Sequence, residues 1–141
     1  MRVSMTLSLP RQPSSATRAR HVLTTLLSLT DVSEDTRANL AVLISEACAN
    51  AVIHADPDSD VDITIDIDDH ACLIEVGNRG RSPDNTQLDA GLPAPLTIGG
   101  RGLPLIGALA DTAAFVTGAP RQVLLRITKH LTTQQHPPAD R

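Results

Sequence analysis

The chain has 141 residues, 41% of them hydrophobic, which fits one globular domain with its own core. Only 1% are aromatic, with Phe115 alone and no Trp or Tyr, so the core must be aliphatic and stacking platforms for nucleic-acid bases are lacking. A formal net charge of −4 without a Lys/Arg run argues against direct nucleic-acid binding, and no apolar run approaches the roughly 18 residues of a membrane span.

Residues 2–9 alternate, with Val3, Met5, Leu7 and Leu9 on one side and Arg2, Ser4, Thr6 and Ser8 on the other. That pattern predicts a half-buried strand stopped by Pro10, in place of the apolar core of a signal peptide. "PSSATRARHVLTTLLSLT" then places Ala19, Val22, Leu23, Leu26 and Thr30 on one helical face, with Ser14 or Ser15 as N-cap. A second helix opens near Ser33 and runs to about Ala55, where Asp56-Pro57 forbids continuation.

"DVDITIDID", residues 60–68, alternates Val61, Ile63, Ile65 and Ile67 with Asp60, Asp62, Thr64, Asp66 and Asp68. With "ACLIEV", residues 71–76, it forms a β-hairpin, and its acidic stripe reads as a solvated strand face rather than a metal site. Residues 77–102 are rich in Gly and Pro and lack periodicity, so they form a long functional loop. A short helix follows from about Pro104 to Ala110, where Pro104 suits the first turn. Strands near 112–117 and 122–128 complete one domain over residues 1–130, and residues 131–141 form a disordered tail. The order β-α-α-β-β-loop-α-β-β predicts an α+β, two-layer sandwich: a mixed, mostly antiparallel sheet with helices on one face. Cys48 and Cys72, each in an apolar segment, predict buried thiols in a reducing cytoplasm.

Three segments carry candidate chemistry. In "EACANAVIH", Glu46, Asn50 and His54 recur at four-residue spacing and form one stripe on the second helix. The stripe lies between Val42 and Ile53 on one flank and Leu40, Leu43 and Ala47 on the other, so the polar groups sit within or at the rim of an apolar surface and need partners. Those partners are either within the fold or in a ligand; for His54 the helix dipole at the C-terminal turn is the simplest. An asparagine oxygen is a hard neutral ligand for Mg²⁺, and a nearby carboxylate can deprotonate an attacking hydroxyl. "GGRGLPLIG", residues 99–107, is neither a dinucleotide fingerprint nor a Walker A loop. It leads a Gly-rich loop into a helix N-terminus, which can bind phosphate or be a plain flexible entry to the helix. In "VGNRGRS", residues 76–82, Gly77 and Gly80 permit a tight turn and Asn78 offers both a donor and an acceptor.

Taken in order, E-x-x-x-N-A-x-x-H on a helix, the hairpin ending in a Gly-bearing turn, the long loop and G-x-G-L-x-L resemble the Bergerat-type (GHKL) histidine-kinase-like ATPases. Their branch of small anti-sigma regulatory factors with serine/threonine-kinase activity, common in actinobacteria, is the most similar. The resemblance spans residues 1 to about 129. It implies ATP and Mg²⁺ as cofactors, and a sigma factor and a STAS-domain anti-anti-sigma antagonist as partners. A homodimer would use the strand at residues 2–9 as a pairing edge. By motif, Glu46 would be the catalytic base, Asn50 the Mg²⁺ ligand, and His54 would lie near the phosphates. Asn78 and Gly80 would belong to the adenine-side turn; Gly100, Arg101, Gly102 and Leu103 to the phosphate-side box; and residues 81–99 to the lid.

Three positions depart from the family pattern. Asn78 stands where an adenine-reading Asp belongs, so a charge-assisted hydrogen bond of roughly 1.5–3 kcal/mol becomes a neutral one of about 0.5–1.5 kcal/mol. Ser82 replaces the second glycine of that turn, and a Gly-Lys-Thr-like segment before the last strand is missing, with Gly118 and Arg121 as its only substitutes. These departures imply weaker or less base-selective nucleotide binding, or a non-catalytic module that only sequesters its partner.

Overall fold

The computed structural model describes residues 2–81, 88, 102–117 and 121–132. Five strands and three helices make up the described elements: β1 (Val3–Leu9), α1 (Ser14–Leu27), α2 (Glu34–His54), β2 (Val61–Ile67), β3 (Ala71–Arg79), α3 (Gly102–Leu109), β4 (Thr112–Thr117) and β5 (Gln122–His130). The strands form one sheet in the order β1-β2-β3-β5-β4. All four pairings are antiparallel, so the described sheet contains no parallel pair.

Register follows burial. Val61, Ile63, Ile65 and Ile67 of β2 are all buried, and β3 continues the same face with Cys72, Ile74 and Val76. A one-residue slip would put every one of these side chains into solvent. On β5 the buried positions are Val123, Leu125 and Ile127. The helices cover this face, with α2 packed between α1 and α3, and all three share one aliphatic cluster with the sheet. Phe115 of β4 is its single aromatic member.

The opposite sheet face is polar. The acidic stripe of β2 meets the hydroxyls and Arg2 of β1: Ser8 Oγ donates to Asp62 at 2.8 Å, and Arg2 and Ser4 both donate to Asp66. Asp68 instead caps the β2–β3 turn, accepting from the backbone N–H groups of His70 and Ala71 at 2.7 and 2.8 Å. Among the described residues no group of His, Cys, Asp and Glu is arranged to hold a metal ion.

Helix ends depart from expectation at both ends of α1 and at the start of α3, which opens at Gly102 rather than near Pro104. Neither Ser14 nor Ser15 caps α1: Pro13 is the N-cap residue, and the buried Ser15 hydroxyl donates back to the Pro10 carbonyl at 2.6 Å. The helix also stops at Leu27, so Thr30 lies past its end, and its buried side is Ala19, Leu23, Leu26 and Leu27. Ser33 does cap α2, accepting from the Thr36 N–H at 3.3 Å. After β5, the Thr132 carbonyl accepts from Ser33 N–H at 2.8 Å, which ties the residues that follow the strand to the start of α2. Residues 133–141 of the expected tail lie outside the described residues.

Candidate functional site

The helix α2 turns its Glu46, Asn50 and His54 stripe along the edge of the core. Leu40, Leu43 and Ala47 on one flank are buried, whereas Val42 and Ile53 on the other are 36% and 70% exposed. Glu46 and Asn50 fall between them and are half-buried; His54, in the last turn, is exposed. They occupy the rim, where a polar group keeps access to a ligand while its stem packs on apolar neighbours.

Against this rim lies the N-terminus of α3. A methyl group placed on Gly102 would come 3.0 Å from Oε2 of Glu46, so the glycine leaves room for the carboxylate at the helix start. The free N–H groups and the positive dipole end of a helix N-terminus favour anionic ligands there. Leu103, by contrast, points into the core at 5% exposure, so only its backbone is placed to meet a ligand. Gly100 and Arg101 lie outside the described residues, as do Ser82, Gly118 and all of the expected lid except Arg81 and Leu88.

The third component is the end of β3. The sequence places a turn from Gly77 onward, but the strand continues through Arg79, pairing Gly77, Asn78 and Arg79 with Leu124, Val123 and Gln122 of β5. Asn78 is therefore on the inner, helix-covered face, 8% exposed, and its Nδ2 donates to the Arg79 carbonyl at 3.1 Å. Gly80 bridges to Ala55 at the end of α2. A methyl group on Gly80 would lie 2.4 Å from the His54 carbonyl oxygen, so only glycine permits this approach.

Arg121, singled out in the sequence only as a substitute for the missing Gly-Lys-Thr-like segment, helps hold the site together, as do residues the sequence did not single out. Arg121 donates from Nε to Asp56 at 3.3 Å and from Nη2 to the other carboxylate oxygen. This pairing holds the Asp56 carboxyl below its ordinary range. Ser59, buried, accepts from the Arg79 N–H at 2.9 Å. Gly107 of α3 is crossed by the backbone of Leu88, whose carbonyl oxygen would lie 1.8 Å from a methyl group there. A glycine inside a helix, costing about 1 kcal/mol against alanine, was the available signal for that crossing. A shallow cleft of about 580 Å³ lies on the polar sheet face among Asp62, Thr64, Glu75, Gly77 and Leu124, and reaches Ser59, Asn78 and Arg79 at the end of β3.

A Glu/Asn-bearing helix beside a glycine-started helix, over an antiparallel sheet covered on one face, is the architecture of the GHKL ATPase fold. Residues 9–129 match the histidine kinase-like ATPase domain, and the chain belongs to that family. No curated protein matches the sequence. Among solved structures, one similar fold is that of the RsbU and RsbW domains of Rv1364c from Mycobacterium tuberculosis, at 20% identity and a TM-score of 0.69. That alignment covers 92% of this chain and 32% of the other, so this chain spans about a third of that protein. Another is the SiaB–SiaC complex from Pseudomonas aeruginosa, at 14% identity and a TM-score of 0.63, covering 89% of each chain. Among the described residues no helix is long and apolar enough to cross a membrane.

Proposed function

We propose that this protein is an ATP-binding, cytoplasmic anti-sigma factor of the partner-switching kind, which sequesters a sigma factor and phosphorylates a STAS-domain antagonist on serine or threonine. The observation that carries this reading is the meeting of Glu46 with the start of α3 at Gly102, one helical turn from Asn50. The solved folds of RsbW and SiaB type, both determined alongside other domains or partners, support the choice of partner class.

The donor set fits a magnesium-bound nucleotide. Asn50 offers a neutral amide oxygen to the metal, the kind of hard ligand Mg²⁺ accepts. The α3 N-terminus offers N–H groups to phosphate oxygens, in the space that Gly102 leaves free of a side chain. When bound, ATP·Mg²⁺ supplies the transferable phosphoryl group and neutralises its charge. Glu46 orients the acceptor hydroxyl and takes its proton at a carboxylate oxygen. Asn78 presents an amide oxygen to the base, and Gly80 brings the backbone close. The rim position of Glu46 keeps it reachable by a protein-borne hydroxyl.

Two observations favour a second reading, a module that sequesters without chemistry. Asn78 is neutral where the family carries a carboxylate, and Arg121, one of the two residues left in place of the family's Gly-Lys-Thr-like segment, is engaged by Asp56. The two readings separate in a phosphotransfer assay with labelled ATP and candidate STAS proteins. The kinase reading expects label on the STAS protein, lost in Glu46→Ala while sigma-factor binding is retained. Retained phosphotransfer in Glu46→Ala would remove that residue from the base role, and retained sigma binding without any phosphotransfer by the native chain would establish the second reading.

A further inference from the structure

The end of β3 is closed into a ring by residues distant in sequence. Asp56 N–H donates to the Arg79 carbonyl at 2.7 Å, and the same carbonyl accepts from Asn78 Nδ2 at 3.1 Å. One residue on, Gly80 N–H donates to the Arg121 carbonyl at 2.8 Å. The Arg121 guanidinium then returns to the Asp56 carboxylate through two hydrogen bonds. Arg121 holds a φ of 62°, in the left-handed region uncommon for a side chain of its size, so its backbone conformation must be supported by what it touches.

We propose that the Asp56–Arg121 pair is a positioning clamp that gives the site its selectivity for adenine; the proposal rests on the nucleotide reading above. The chain of causes is short. The carboxylate–guanidinium pair fixes the backbone of Asp56 against Arg79. The Arg79 carbonyl, so fixed, accepts from Nδ2 of Asn78 and orients the amide. That bond takes one of the two Nδ2 hydrogens and fixes the orientation of the amide, and with it the direction in which Oδ1, an acceptor, is presented. An acceptor meets the exocyclic amino group of adenine favourably and the corresponding carbonyl oxygen of guanine unfavourably. Asparagine is then suited to this position in this chain: an ionised aspartate has no donor for the Arg79 carbonyl and would set two acceptors against each other.

Two variants test the clamp. Arg121→Gly removes the guanidinium but keeps a residue that adopts positive φ without strain, and its carbonyl still accepts from Gly80. Asp56→Asn keeps the shape and removes the charge. The first readout needs no nucleotide: amide hydrogen exchange at Asp56 and the NMR resonance of the Asn78 side-chain amide. The clamp predicts faster exchange and a shifted Asn78 resonance in both variants, with little change in the unfolding midpoint of Arg121→Gly. The second readout is the ratio of ATP to GTP affinity, which should fall about three- to tenfold, the worth of one neutral hydrogen bond. Tripolyphosphate affinity should hold steady. Unchanged exchange and resonance would overturn the clamp whether or not nucleotide binds. Changed exchange with an unchanged ATP/GTP ratio would overturn its role in selectivity. A native protein with the clamp signature but no affinity for ATP would instead overturn the nucleotide reading, and the selectivity role with it.

Discussion

Two glycines three residues apart in sequence should respond oppositely to alanine. At Gly80 the added Cβ would lie 2.4 Å from the His54 carbonyl oxygen, 3.1 Å from Asn78 Nδ2 and 3.2 Å from the Ala55 Cα. Carbon–oxygen contacts ordinarily sit at about 3.3–3.6 Å, so the backbone must yield by roughly 1 Å where α2 ends against β3. Overpacking of this kind costs about 1–3 kcal/mol. A φ of 157°, which L side chains rarely adopt, adds a further cost on the order of 1 kcal/mol. Gly80→Ala should therefore lose about 2–4 kcal/mol, against a total stability of roughly 5–15 kcal/mol for a domain of this kind. At Gly77 the nearest atoms would be 3.5 Å away, an ordinary contact. Gly77→Ala gains from the reduced freedom of the unfolded chain and should stabilise by about 0.5–1 kcal/mol. Urea unfolding of both variants beside the native chain, at matched slopes, measures the difference. Gly80→Ala within about 0.5 kcal/mol of the native chain, or Gly77→Ala as damaging as Gly80→Ala, would refute the packing argument.

The buried thiols should be inert in the folded state: burial pushes Cys48 up to about 11 and Cys72 up to about 12, so Ellman's reagent at pH 8 should label the unfolded chain and spare the native one. Rapid stoichiometric labelling of the native protein would contradict their placement. Acid should destabilise through three carboxylates held below their ordinary range: Asp56 by the Arg121 hydrogen bond, Asp66 by that of Arg2, and Asp68 by the N–H of His70. Their folded values are depressed, so their contribution is present above the unfolded value of about 3.9 and is lost as pH falls through the folded ones. The unfolding midpoint should drop below about pH 4, less steeply in Asp66→Asn than in the native chain; identical acid slopes would remove Asp66 from the account.

What the sequence made legible was whatever a strong period expresses. The β2 alternation reads directly because one face is wholly buried, and the start of α2 reads because Ser33 caps it. The rim position of Glu46 and Asn50 follows from a helical wheel, since buried Leu43 and exposed Ile53 flank them in the sequence itself. Gly77, Asn78 and Arg79 do not read as strand, because Gly and Asn favour turns; pairing with β5 overrides that preference. Ser15 misled as a cap because its hydroxyl found the Pro10 carbonyl within reach. The strand order and the Asp56–Arg121 ring lie beyond local pattern. The two residues are separated by 65 positions, and only the return of β5 between β3 and β4 brings them together.

The central claim is that Glu46, Asn50 and the α3 N-terminus form a working nucleotide site. Calorimetric titration of ATP into the purified protein, with and without Mg²⁺ and beside Asn50→Ala, tests it most directly. The account predicts saturable binding that requires Mg²⁺ and disappears in Asn50→Ala. Absence of binding by the native chain, or binding indifferent to both Mg²⁺ and Asn50, would contradict it.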